Sequence, residues 1–152
     1  MNDRRHTILL VEDHDPFALT LETVLSTDPR VEVVDRACDG RAGVELALLH
    51  QPDVVLMDIY MPTLDGVAAT RELAELLPAT AVVILSSSDQ PTDVERAFDA
   101  GAVAFLPKDA SLPEIVATVV AASERSEPDL EVRTKTRELR LPARQTMARL
   151  CL

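Results

Sequence analysis

Short apolar runs recur along the chain, beginning near residues 8, 31, 54, 82 and 102. Each interval has room for one helix and two short loops, which a strand followed by a crossover helix requires. Residues 7–11, 54–57, 81–85 and 102–106 are dominated by Val, Ile, Leu and Ala, the pattern of strands buried on both faces. Val31-Glu32-Val33 alternates instead, which predicts an edge strand with one side wet.

Between the runs, helical spacing takes over. Asp15 and Pro16 are expected to supply an N-cap and a first-turn proline, with Phe17, Leu21, Val24 and Leu25 on one face. Val94, Ala97 and Phe98 repeat that spacing, and Gly101 is placed to end the helix. Ser111 and Glu114 form a capping-box pair ahead of a stripe of Leu112, Ile115, Val116 and Val119. Residues 41–50 and 66–77 complete the set, the latter closed by Pro78.

This alternation predicts an α/β fold: a doubly wound, five-stranded parallel sheet with helices on both faces. Ligands of such sheets lie beyond the strand carboxyl ends, where the strand order reverses. The second run ends in Ala37-Cys38-Asp39-Gly40 and brings no obvious chemistry. Placing it at the edge beside the first run leaves strands one and three flanking the reversal, giving the order 2-1-3-4-5.

Four runs then end on reactive groups at one edge. The first delivers Glu12 and Asp13, the third Asp58, the fourth Ser86, and the fifth is followed by Pro107 and Lys108. Two unit charges ~4 Å apart repel by about 4 kcal/mol at an effective dielectric near 20. Three carboxylates in one crevice therefore need a proton, a divalent cation or the Lys108 ammonium. A hard, all-oxygen cluster favours Mg²⁺. Carboxylates can form acyl phosphates, and phosphoryl transfer is mostly positioning plus neutralisation of the moving oxygens. The metal, Lys108 and the Ser86 hydroxyl could cover one oxygen each.

At these residues the chain resembles the response-regulator receiver domain of two-component signalling, in its NarL/FixJ-type subfamily. The matching segments are Leu9-Leu10-Val11-Glu12-Asp13, Val54-Val55-Leu56-Met57-Asp58-Ile59-Tyr60-Met61-Pro62-Thr63-Leu64-Asp65-Gly66, Val83-Ile84-Leu85-Ser86 and Gly101-Ala102-Val103-Ala104-Phe105-Leu106-Pro107-Lys108. The resemblance covers residues 6–124 and implies a CheY-like, flavodoxin-like sheet. It implies that Asp58 is the phosphoacceptor, and that Asp13, Asp58 and the Tyr60 main-chain carbonyl ligate Mg²⁺, with Glu12 acting through a metal-bound water. Lys108 would pair with the phosphoryl group and Ser86 would move to hydrogen-bond it. Phe105 matches the family's switch aromatic, and residues 91–106 its output face. Many receivers place proline just after the motif lysine; here Pro107 precedes it and Lys108-Asp109-Ala110 looks like the NarL/FixJ pattern.

Blander readings apply nearby. Asp65-Gly66 reads as turn chemistry, His14 as a solvent-facing helix-start residue, and Phe105 as either core or switch. A haloacid-dehalogenase-like phosphatase would carry a second Asp two residues after the nucleophile, where Tyr60 stands.

The net charge of −11 hides an asymmetry. Residues 131–152 hold Arg133, Lys135, Arg137, Arg140, Arg144 and Arg149 against Glu131 and Glu138, leaving the remainder strongly acidic. Such a body repels nucleic acid phosphates. No apolar stretch is long enough to span a membrane, and the N-terminus lacks a secretory leader's apolar core. Cys38 and Cys151 are read as free thiols in a reducing cytoplasm. Residues 125–140 read as a linker. Residues 141–152 look like the opening of a LuxR-type helix-turn-helix domain, so DNA contact is expected only through such a C-terminal effector.

The expected function is a receiver phosphorylated on Asp58 by a sensor histidine kinase, with Mg²⁺ as cofactor. It would not be an enzyme beyond its own phosphoryl transfer and dephosphorylation. It would switch conformation, form a homodimer on phosphorylation and control transcription. A stand-alone phosphorelay carrier and a binding module that never takes phosphate are the alternatives.

Overall fold

The structure is a computed structural model and describes residues 4–88 and 90–126. Five strands and five helices alternate: β1 (His6–Val11), α1 (Asp15–Ser26), β2 (Val31–Ala37), α2 (Gly40–His50), β3 (Val54–Asp58), α3 (Gly66–Leu76), β4 (Ala81–Ser86), α4 (Pro91–Ala100), β5 (Ala104–Pro107) and α5 (Leu112–Ser126). The strands form one sheet in the order β2-β1-β3-β4-β5, and every neighbouring pair is parallel. The expected architecture and strand order are both present, with the alternating strand at an edge.

Side chains alternate between the two faces of each strand, so the sheet splits its apolar residues into two cores. Leu9, Val11, Val55, Met57, Val82 and Ile84 pack with residues of α2, α3 and α4 such as Val44, Leu73 and Ala97. Ile8, Leu10, Val54, Leu56, Val83 and Leu85 face α1 and α5, meeting Leu21, Leu25, Ile115 and Val119. The second edge strand is short because α4 borrows the start of its run. Gly101 caps α4 in a left-handed conformation at φ 116, and the Ala102 N–H closes the helix on the Ala97 carbonyl at 3.0 Å. Bonding to β4 thereby begins at Val103, whose N–H donates to the Val82 carbonyl at 2.9 Å, and the paired strand starts at Ala104.

Asp39 and Asp65 cap α2 and α3, each accepting a 2.8 Å bond from a first-turn N–H. Asp15 does not cap α1 as expected: it is the first helical residue, and His14 holds the N-cap position with no side-chain bond. Its carboxylate is drawn instead to Arg36 on β2. At the other end of the sheet, Asp53 is fully buried. It accepts the Thr7 N–H at 2.7 Å and Arg4 Nη2 at 3.2 Å, which satisfies a charge that burial would otherwise penalise.

The expectation of a free thiol at Cys38 is overturned. Cys38, half-buried just after β2, is disulfide-bonded. Helix α5 is described as far as Ser126, two residues into the stretch expected as linker. Cys151, the rest of the expected linker and the residues resembling a helix-turn-helix lie outside the described residues.

Candidate functional site

The register of the sheet determines what meets at its carboxyl edge. Val11 is level with Met57, Asp58 with Leu85, and Ser86 with Pro107. The residues that follow β1 and β5 therefore converge on the ends of β3 and β4. Glu12 and Asp58 are almost wholly buried and Ser86 fully so, while Asp13 stays exposed. One carboxylate oxygen from each of Glu12, Asp13 and Asp58 lies within 4.8 Å of the others. The Lys108 N–H donates to the Ser86 carbonyl at 2.8 Å, locking the chain after β5 onto the end of β4. That lock aims the Lys108 ammonium back across the edge. Its Nζ stands 2.8 Å from Glu12 Oε1 and 3.2 Å from Asp58 Oδ2.

Burial raises the Glu12 carboxyl above the usual carboxylate range, opposed by its hydrogen bonds with Lys108 and the His14 N–H and reinforced by the Asp58 charge. Burial also raises Asp58, against the pull of the Lys108 charge and hydrogen bond. Burial alone would lower Lys108, but the Glu12 hydrogen bond and the two carboxylate charges outweigh it, so the ammonium is held above its ordinary value. The pocket thus has one cation facing more than one negative charge. Its donors are all hard oxygens at chelating separation, a set that fits Mg²⁺ and offers nothing to a soft metal.

Residues 8–120 match the response regulator receiver domain family. The chain belongs to that family. Among relatives, it is 36% identical over 124 residues to the transcriptional regulatory protein LiaR of Bacillus subtilis, a match that spans 82% of this chain and 58% of LiaR. It is 39% identical over 102 residues to protein-glutamate methylesterase/protein-glutamine glutaminase 2 of Photobacterium profundum, covering 66% of this chain and 26% of that enzyme. The signal receiver domain of NarL from Mycobacterium tuberculosis superposes with a TM-score of 0.76 at 35% identity, over 80% of this chain and 98% of that one. This chain thus spans little more than half of LiaR and about a quarter of the methylesterase. Among the described residues no helix is long and apolar enough to cross a membrane.

In this receiver, then, the structure gathers Glu12, Asp13, Asp58 and Lys108 at one point. Ser86 is adjacent through its backbone, and its Oγ accepts the Ser88 N–H at 3.0 Å. Tyr60 follows Asp58 by two residues and turns its ring outward, donating its hydroxyl to Asp93 Oδ2 at 2.6 Å. Phe105 is half-buried and packs against the core beneath α2, α3 and α4. The peptide bonds around Pro107 are trans. His14 is exposed at the start of α1, and its N–H donates to Glu12 Oε2 at 3.1 Å.

Three contributors to the site were not foreseen. Gly66 lies so close to β3 that a Cβ there would come within 2.0 Å of the Asp58 carbonyl oxygen; Asp65-Gly66 had signalled only a turn. Thr63, in the same loop, sits at φ 66, a conformation that strains a β-branched residue. The Phe17 ring centroid is 5.1 Å from Lys108 Nζ, within reach of a cation–π attraction. Position 17 reads only as one more apolar residue on α1.

Proposed function

We propose that this receiver accepts a phosphoryl group on Asp58 from a sensor histidine kinase in a Mg²⁺-dependent reaction. An Asp58 carboxylate oxygen attacks the phosphorus, the bond from phosphorus to the donor nitrogen breaks, and the donor keeps that electron pair. The single observation carrying this reading is the Lys108 ammonium shared between Asp58 and Glu12 beside Asp13. A cation already seated there can follow a transferred phosphoryl oxygen as charge moves onto Asp58. Asp13, Asp58 and the Tyr60 carbonyl would hold Mg²⁺, with Glu12 reaching it through a water. When bound, the ion supplies charge neutralisation for the transferring oxygens. Ser86 then donates its hydroxyl to the phosphoryl group, and Phe105 answers by repacking.

The output of this reading is transcriptional, supported by the relationship to LiaR. DNA contact is assigned to a C-terminal effector, since the receiver's acidic surface repels phosphates. The setting is cytoplasmic, where kinases of this type present their phosphohistidine, and phosphorylation promotes a homodimer.

The test is incubation with acetyl phosphate, with and without Mg²⁺, followed by intact-mass measurement. One phosphoryl group should be gained only with Mg²⁺ and only on the wild type. A gain that persists in Asp58→Asn would remove Asp58 from the acceptor role.

A further inference from the structure

Asp93 is the one buried acid of α4; Glu95 and Asp99 on the same helix are exposed. A carboxylate in a first helical turn ordinarily serves its own helix, by charge or by bonding free N–H groups. This one looks outward. Its Oδ2 accepts two hydrogen bonds, from the Tyr60 hydroxyl at 2.6 Å and from Ser88 Oγ at 2.7 Å. Arg96 Nη1 approaches Oδ1 at 3.4 Å. The N-cap residue Gln90 makes no side-chain capping bond, but its N–H donates to Ser88 Oγ at 3.3 Å, so Ser88 is joined to the start of α4 both there and through Asp93.

The two donors come from two different loops, and each loop carries part of the phosphorylation site. Tyr60 is two residues beyond Asp58. Ser88 is two residues beyond Ser86, and its N–H donates to Ser86 Oγ at 3.0 Å. A continuous set of hydrogen bonds therefore runs from the Ser86 hydroxyl through Ser88 to Asp93 and on to the Tyr60 loop. Asp93 Oδ2 is thus the acceptor on which both loops converge.

We propose that Asp93 is a positioning residue, the group through which helix α4 senses the orientation of Ser86. The proposal rests on Asp58 phosphorylation as described above. If Ser86 turns its hydroxyl toward a phosphoryl oxygen on Asp58, its Oγ leaves the Ser88 N–H. Ser88 follows, and its Oγ parts from Asp93. The first turn of α4 then loses one of the two bonds on Oδ2 that tie it to the reaction site, and shifts.

Tyr60 is the chain's only tyrosine and there is no tryptophan, so its fluorescence reports this junction without a label. The experiment treats the full chain with acetyl phosphate and Mg²⁺. It follows intact mass, Tyr60 emission and the amide NMR shifts of residues 91–100 in the wild type, Asp93→Asn, Ser88→Ala and Ser88→Thr. The wild type should gain one phosphoryl group, change its Tyr60 emission and move its α4 amides. Asp93→Asn and Ser88→Ala should still gain the mass, but their α4 shifts should fall by about fivefold or more, the low end of ordinary coupling between sites. Ser88→Thr, which keeps the hydroxyl, should restore the response; a role in packing alone would not produce that rescue. Undiminished α4 shifts in phosphorylated Asp93→Asn or Ser88→Ala would overturn the proposal. No mass gain in the wild type would overturn the acceptor reading and this coupling with it, a result the mass channel separates from the first.

Discussion

The Lys108 ammonium stands 3.2 Å from Asp58 Oδ2, having crossed from the end of β5 over Ser86 to reach it. That approach places the receiver's resident cation where negative charge would accumulate during phosphoryl transfer. Lys108→Ala should therefore slow phosphorylation by acetyl phosphate by about a hundredfold, the scale of losing one preorganised charge-stabilising donor. A mass-spectrometric time course at fixed Mg²⁺ measures it; a wild-type rate would strip Lys108 of the role.

The raised Asp58 and Glu12 carboxyls make stability depend on pH in a defined direction. An acid whose folded-state value is raised binds protons better in the native chain than in the unfolded one. Its stabilising contribution is complete below the unfolded carboxylate range and is lost as pH rises through the folded-state value. At neutral pH without Mg²⁺ these charges therefore work against the fold. Asp58→Asn should raise Tm by roughly 3 °C, and the gain should vanish toward pH 3. Added Mg²⁺ should raise the wild-type Tm and leave Asp58→Asn nearly unmoved. Calorimetric scans across pH check both arms.

Gly66→Ala should be among the most damaging conservative changes in the chain. The new methyl would meet the Asp58 carbonyl oxygen at 2.0 Å, and that oxygen belongs to a central strand that cannot yield. A loss of about 3 kcal/mol is expected, the upper range for overpacking, read as a lower urea midpoint. Phosphorylation should fail with it, because relief of the clash must displace Asp58.

Thr63 offers the opposite case. Its φ of 66 is left-handed, where a side chain with Cβ costs about 1 kcal/mol or more and glycine does not. Thr63→Gly should therefore stabilise the protein by about 1 kcal/mol in urea unfolding. A neutral or negative change would mean that the Thr63 side chain repays its strain through contacts of its own.

Much of this was legible in the chain because strands and their ends obey local rules. Asp58 follows Val54-Val55-Leu56-Met57, and a parallel sheet leaves such a residue only one edge to occupy. Glu12, Ser86 and Lys108 follow by the same reasoning. What stayed hidden depended on partners distant in sequence. Asp15 had every local mark of a helix cap, yet Arg36 on β2 takes its carboxylate. Asp93 reads as an ordinary first-turn acid until Tyr60, 33 residues earlier, is seen against it. Ala102 extends an apolar run, but Gly101 converts it into the closing residue of α4. Local pattern reports which groups reach the edge; it does not report which of them grip one another.

The division of apolar side chains between two faces has a consequence for how such a molecule can change over time. Among the described residues none belongs to both compartments, so a volume change beneath α1 and α5, such as Ile115→Val, is absorbed by neighbours like Ile8 and Leu10 and not by the layer supporting α4. Whatever docks on one side and whatever answers on the other can thus drift independently, provided the shared strand tips between them stay put.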